Sequence, residues 1–468
     1  MKIPTPDTIG SPNAPKKWKA GTLTYTSAGL AVLFIWLLFG DFAWQLKERS
    51  VTATAQLFLK RFESSDFFVG LLIGSLPAAM GMIIGPIISV RSDRHRGRWG
   101  RRIPYLLVPL PFVTASMVGL ALSPQVGGFF HQLLGDTSPG LNACVLGAFA
   151  GFWALFEVAT VIANAVFGGL INDVVPQAII GRFFALFRIV SLIDGIIFNY
   201  FLIKHAEEYF VWIFIGTGVF YAIGFSLMCF MVKEGEYPPP EPLSETAKPG
   251  RMQGLRSYLR ECFATPYYLW IFVALTLCML SFGPVNSFSI FYAKSLDMSM
   301  QTYGRYIAAS YACSIILAYF LGSLADRFHP LRMAIATIGL YAGFMLWGAG
   351  FATDSPRFGV AFIAHTVISG AYFTSTASIG QRLYPKMKFA QFASAAGILI
   401  AATAAVLPPT VGLILDASGH QYRLTFLMGG ILASTGLLIL LVVHHKFMKL
   451  GGPKNYKAPH ADPVAEVA

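Results

Sequence analysis

The sequence predicts an all-α polytopic membrane protein of twelve transmembrane helices in two six-helix bundles, and three observations carry that prediction. The chain of 468 residues is 55% hydrophobic and only 12% charged, about half the roughly 25% charged fraction of soluble domains. Apolar runs of about 20 residues, enough at 1.5 Å rise per residue to cross a hydrocarbon core of about 30 Å, recur along its whole length. A polar linker divides the twelve runs into two sets of six that echo each other.

The spans are expected at 25–58, 67–90, 103–123, 142–169, 183–203, 210–232, 267–293, 303–324, 331–351, 358–380, 389–415 and 422–445. Around them lie a polar N-terminal tail, 1–24, a Pro- and Glu-rich linker, 233–266, and a C-terminal tail, 446–468. The halves are therefore 25–232 and 267–445. Lys16, Lys17 and Lys19 precede the first span with no small-residue cleavage site, so the N-terminus does not read as a cleaved signal peptide. The five cysteines are scattered and form no CxxC pair, so no disulfide framework, metal site or other cofactor is expected.

Lys and Arg set the orientation. The tails, the linker and the even-to-odd loops hold 25 of the 35, the opposite side holds 9 when the whole Lys47–Arg61 region is counted with it, and Arg188 sits inside a span. Both termini are thus expected in the cytoplasm, in a plasma (inner) membrane protein. The net charge of +12 serves topology and contact with anionic lipid headgroups rather than nucleic acid.

The stretch GPIISVRSDRHRGRWGRRIPY, from Gly85, combines an acid and an arginine, Asp93 and Arg94, at the end of the second span with Gly100, Arg101 and Arg102 opening the third. Asp93 can accept from arginines and backbone N–H groups in one conformation and release them in another, which is the chemistry of a latch. Asp326 and Arg327 stand at the corresponding place in the second half.

An ionised side chain at membrane depth costs about 2.5–3.5 kcal/mol, so each such residue is a functional candidate. In the first span, GDFAWQLKERS follows an apolar run, and either the helix ends at Asp41 or it continues. Ending there leaves about 17 residues, the lower limit for a span, and no Pro or Gly interrupts the chain before Lys60. A continuing helix places Asp41, Gln45, Glu48 or Arg49, and Thr52 on one cavity-facing stripe, with Trp44 beside it; Glu48 and Arg49 neutralise each other or pair to another helix, and Lys47 falls off the stripe. In the fourth span Glu157 and Asn164 share a face, with Trp153 one turn before, an arrangement suited to hydroxyls and a sugar ring. In the fifth, Arg188 and Asp194 lie about 240° apart round the helix, so Arg188 is expected to pair with Glu157 or Asp41, while Asp194 faces the first span or water. The second half offers Asn286 after Pro284, His365 as an interhelical donor, and little charge, so it is expected to supply shape. Proton-coupling candidates are Asp41, Glu48, Glu157 and Asp194.

At the level of motifs the sequence resembles the major facilitator superfamily. SDR followed by RWGRRIPY is similar to the signature of the glycoside-pentoside-hexuronide cation symporters and the sucrose-proton symporters. Asp41-Phe42 after Gly40 resembles the acid that holds sugar hydroxyls in melibiose-type carriers. Those carriers place two acids in the second span for their cation, where this chain has Gly81 and Gly85, so the resemblance implies a proton rather than sodium. By likeness to sucrose symporters, Asp173 and Arg182 are expected as gate residues. The implied function is secondary transport of a small hydroxylated solute, a sugar or glycoside, by a monomer. A non-transporting membrane assembly or pigment-handling factor and a drug-efflux carrier are the competing readings; no phosphate-binding loop or nucleophile-base pair suggests an enzyme.

Overall fold

The computed structural model describes residues 17–237, 258, 260–385 and 388–459, and the side chains at positions 318, 319, 322, 323, 325, 326 and 390 lie outside that description. The first half contains α1 (Ser27–Arg61), α2 (Asp66–Arg94), α3 (Ile103–Ala121), α4 (Leu141–Val174), α5 (Gln177–His205) and α6 (Phe210–Met231). The second contains α7 (Pro266–Ser295), α8 (Met300–Phe328), α9 (Pro330–Phe351), α10 (Ser355–Leu383), α11 (Phe389–Ala417) and α12 (Leu424–Lys449). Eleven of these twelve are, among the described residues, long and apolar enough to cross a membrane, and α8 takes the place of the expected eighth span.

Local chemistry sets the ends. Thr26 caps α1 by accepting from Gly29 N–H at 3.1 Å, and Ser65 caps α2 through Phe68 N–H at 3.2 Å. Asp354 caps α10 through Arg357 N–H at 2.9 Å. Pro266 and Pro330 occupy first turns, where their missing N–H costs nothing. The first helix continues through Asp41 without a break, as its length and the absence of punctuation predict.

Two elements differ from expectation. Residues of the N-terminal tail form a small antiparallel hairpin, Trp18–Ala20 with Leu23–Tyr25, turned at Gly21 with φ +55°. A further helix, Ser123–Leu134, follows α3 and exposes Phe129, Phe130, Leu133 and Leu134, the pattern of a segment lying along a membrane interface.

Within the first half α1 packs on α5 and α6, and α4 on α2 and α3; within the second, α12 packs on α7 and α9, and α10 on α8 and α9. The halves meet where α8 crosses α5 and α11 crosses α2. Both crossings carry a π-helical stretch, Gly70–Ser75 in α2 and Phe198–Leu202 in α5. They also need glycine: a Cβ at Gly412 would overlap the Asp66 carbonyl, and one at Gly304 the Asn199 carbonyl.

Candidate functional site: a polar cavity between the halves

A cavity of about 360 Å³ lies between the halves. Helices α1 and α5 contribute Arg49, Arg188 and Leu192. The second half contributes the rest: Asn286 and Ser289 from α7, Tyr303, Tyr311 and Ser314 from α8, and His365, Thr366, Ser369 and Phe373 from α10 among others. The expectation that the second half mainly supplies shape is therefore corrected, because most of the polar wall is its own.

Arg49 joins the two halves. Its guanidinium donates to Tyr311 Oη at 2.8 Å and Ser191 Oγ at 3.1 Å, and its Nε lies 3.8 Å from the buried Asp194 carboxylate. Both Asp194 oxygens lack a hydrogen-bond partner. Asp41 is also fully buried, with one oxygen accepting from Gln45 Nε2 at 3.3 Å and the other unpartnered. Thus Asp41 and Gln45 do share a face, but they bond each other behind the cavity rather than lining it.

Lys47, unplaced by periodicity, is wholly buried. Its ammonium pairs with Glu48 at 2.6 Å, donates to Thr160 at 3.3 Å and sits 4.0 Å from the Trp44 ring centroid, with Phe156 and Tyr221 completing the cage. The partner of Glu48 is therefore Lys47, not Arg49, because a lysine stem inside an aromatic cage can turn back on its neighbour. Trp44 belongs to this cage and packs on Phe167 and Phe225, so it is not a cavity wall. Glu157 is buried close to the same pair.

Trp153 is 1% exposed, stacks on Phe149 and donates its indole N–H to Leu72 O at 2.9 Å. It is a packing residue, its indole held by a carbonyl in the π-helical stretch of α2. Asn164 is exposed and off the cavity wall. Arg188 and Asn286 are the predicted binding residues that do line it. Arg188 makes no ion pair with Glu157 or Asp41: the described contacts give it none, and its side chain is exposed into the cavity. Helix α7 breaks at Phe282 before Gly283-Pro284, and the Ser281 carbonyl takes the Tyr341 hydroxyl at 3.2 Å. His365 bridges Tyr341 and Asn286, each at 2.9 Å, an interhelical link as expected.

On one side of the cavity the halves are clamped by a cluster that sequence reading missed. Asp66, fully buried, holds Lys60 at 2.6 Å, His420 Nδ1 at 2.7 Å and Tyr422 Oη at 3.2 Å. Asp416 accepts the Asp66 and Phe67 backbone N–H groups, each at 2.8 Å. Glu207 and Lys294 add a cross-half pair nearby. The signal was weak, since these residues lie about 350 positions apart in the chain.

On the opposite side, the described latch contacts stay within one half. Asp93 pairs with Arg102 at 2.5 Å, and Asp173 receives Arg101 at 2.6 and 3.0 Å and Arg102 at 3.0 Å. Glu234, also missed, accepts the backbone N–H groups of Arg101, Arg102 and Ile103 at 2.7–3.0 Å. Gly100 has φ +92°, and a Cβ there would strike the Glu234 carboxylate. Tyr237 lies over the Arg101 guanidinium, 4.0 Å from centroid, and burial drives its hydroxyl pKa upward. Asp173 therefore pairs with Arg101 and Arg102, while Arg182 is exposed. Arg94 is exposed, Arg327 stacks by Phe328, and the Asp326 side chain falls outside the described residues.

The family model described as "Major Facilitator Superfamily" matches residues 271–463. No curated protein matches the chain. Among solved structures, a bacterial homolog of the human lysosomal transporter Spinster, inward-facing and unoccupied, superposes with TM-score 0.65 at 13% identity, covering 93% of this chain and 100% of that one. A D-xylose-proton symporter gives 0.61 at 16% identity, covering 92% and 98%. A peptide transporter, POT, in complex with sulfate gives 0.64 at 14%, covering 91% and 95%. Twelve helices in two bundles around a polar cavity, with these likenesses, make the chain a multi-pass membrane protein with the fold of major facilitator superfamily transporters.

Proposed function

We propose that this chain is a secondary active transporter of the major facilitator superfamily that carries a small hydroxylated solute, a sugar or glycoside, across the inner membrane by alternating access in symport with a proton. The observation that carries this reading is the polar cavity between the halves, clamped shut on the Asp66 side. With both termini cytoplasmic, that clamp faces outward and the cavity opens inward. Halves 25–232 and 267–445 then rock about the cavity, joined through the linker 233–266, and the chain works as a monomer.

Arg49 is suited to couple proton and solute. It spans from Asp194 in one half to Tyr311 in the other. Proton binding at Asp194, or at Asp41 behind it, removes the charge that holds the guanidinium and frees it to reorient. Glu48, paired with Lys47, and the buried Glu157 form a second place for a proton. The network of Asp93, Arg101, Arg102 and Asp173 acts as the latch on the inner side.

Purified protein in proteoliposomes, given a pH gradient and a panel of radiolabelled sugars, tests the reading. Accumulation that collapses with a protonophore is expected. No accumulation of any member of a broad panel would refute it.

A further inference from the structure

We propose that the solute carries a carboxylate and that Arg188 is its counter-ion; this rests on the transport reading above. Among the described residues the cavity wall contains two arginines and no aspartate or glutamate. One arginine is already answered, since Arg49 has Asp194, Ser191 and Tyr311. Arg188 has no ion pair or hydrogen bond among the described residues and is exposed into the cavity. A lone cation at membrane depth is costly, and a bound carboxylate removes that cost by meeting the planar guanidinium fork with two parallel hydrogen bonds.

The remaining wall agrees. Asp41, the acid expected to hold sugar hydroxyls, is fully buried and offers no oxygen to the cavity. The Asn286 amide oxygen is occupied by His365, which leaves its NH₂ as a donor. Ser314, Thr366 and Ser369 donate their hydroxyl protons to backbone carbonyls at 2.9–3.1 Å, which leaves their oxygens as acceptors for solute hydroxyls. The wall thus combines a cation and an amide donor with hydroxyl acceptors, suited to an oxyanion on a hydroxylated skeleton. The volume of about 360 Å³ stands at the small end of ligand pockets, roughly 300–1,000 Å³, so the solute is of monosaccharide scale. One unpaired cation matches one negative charge, which favours a carboxylate over a phosphate dianion.

Binding to the detergent-purified full chain, measured by calorimetry with gluconate, galacturonate, lactate, glucose and glucose 6-phosphate, tests this. A hydroxylated carboxylate is expected to bind at least about tenfold more tightly than glucose, and Arg188→Gln to weaken it about ten- to a hundredfold, with Arg188→Lys between. Failure of every carboxylate to bind, equal binding of glucose, tighter binding of glucose 6-phosphate, or unaltered binding to monodisperse Arg188→Gln and Arg188→Lys overturns the proposal. Uptake separates the two readings. Neutral sugars accumulating while carboxylates do not would sink the charge assignment and keep transport. Carboxylate binding through Arg188 with no solute accumulating would sink transport and keep the assignment.

Discussion

Replacing Asp416 with alanine should release the clamp between the halves. Its two carboxylate oxygens each accept one backbone N–H at the start of α2, at 2.8 Å, so both bonds cross from one half to the other. Hydrogen bonds to a charged group contribute about 1.5–3 kcal/mol each. The Asp416 side chain is 23% exposed, and water replaces it on both N–H groups once the halves part, so the low end applies to the pair as a whole. That leaves about 2 kcal/mol, which at roughly 1.4 kcal/mol per tenfold is a shift of about thirtyfold toward the state open on the Asp66 side. Spin labels at Glu208 and Ser299, both exposed and on opposite halves, report the ratio of short to long distances by pulsed electron resonance in nanodiscs. Asp416→Asn keeps one acceptor oxygen and should shift the ratio by less. An unchanged ratio in Asp416→Ala, or a move toward shorter distances, would show that the clamp does not hold this state.

Other perturbations have equally definite outcomes. Arg49→Ala removes the link from Asp194 to Tyr311, so uptake driven by a pH gradient should fall about tenfold or more and by more than solute counterflow does; equal loss of the two, or loss of neither, contradicts the coupling role. Glu234→Ala leaves three loop N–H groups without their charged acceptor and should lower stability by at least about 2 kcal/mol, read as thermal melting, whereas a wild-type melt would mean that the loop is held elsewhere. Asp93→Ala should give protein that inserts and binds solute but cycles slowly, seen as slowed counterflow in proteoliposomes at normal ligand affinity; counterflow at the wild-type rate would remove Asp93 from the latch. His329, between α8 and α9, accepts from Leu331 N–H through Nδ1, and burial, with Arg382 and Arg332, lowers its pKa to about 4. Because the unfolded chain binds that proton near 6.5, its contribution to stability is full above about 6.5 and is lost as pH falls toward 4. The melting temperature should fall as pH drops through that window in the wild type and fall less in His329→Gln; an equal fall in both would remove His329 from the effect.

How far the sequence could be read depended on whether the needed partner was local. The continuation of α1 past Asp41 was legible because span length and the absence of Pro or Gly are properties of the segment itself. The pairing of Asp93 with Arg102 was legible for the same reason, since only a tight loop separates them. Glu234 was not, because an acid in a polar stretch after α6 carries no mark of the loop it will cap. Trp153 shows the limit of periodicity. It stands one turn from Glu157, an offset of about 40°, yet its indole turns to a carbonyl in α2.

The cavity itself was the least legible feature, and the reason bears on mechanism. Reading for buried charge selects Asp41, Glu157 and Asp194, and all three are buried and absent from the cavity wall. The wall in contact with solute is made instead of hydroxyls, amides and two arginines, residue types too common in a chain with 19 Tyr to stand out before the helices are assembled. Arg49 is where the two layers touch, held by an acid behind and a tyrosine in front. In the coupling proposed above, a proton arriving at the buried layer would alter a group on the cavity wall, and no longer path between the two would be required.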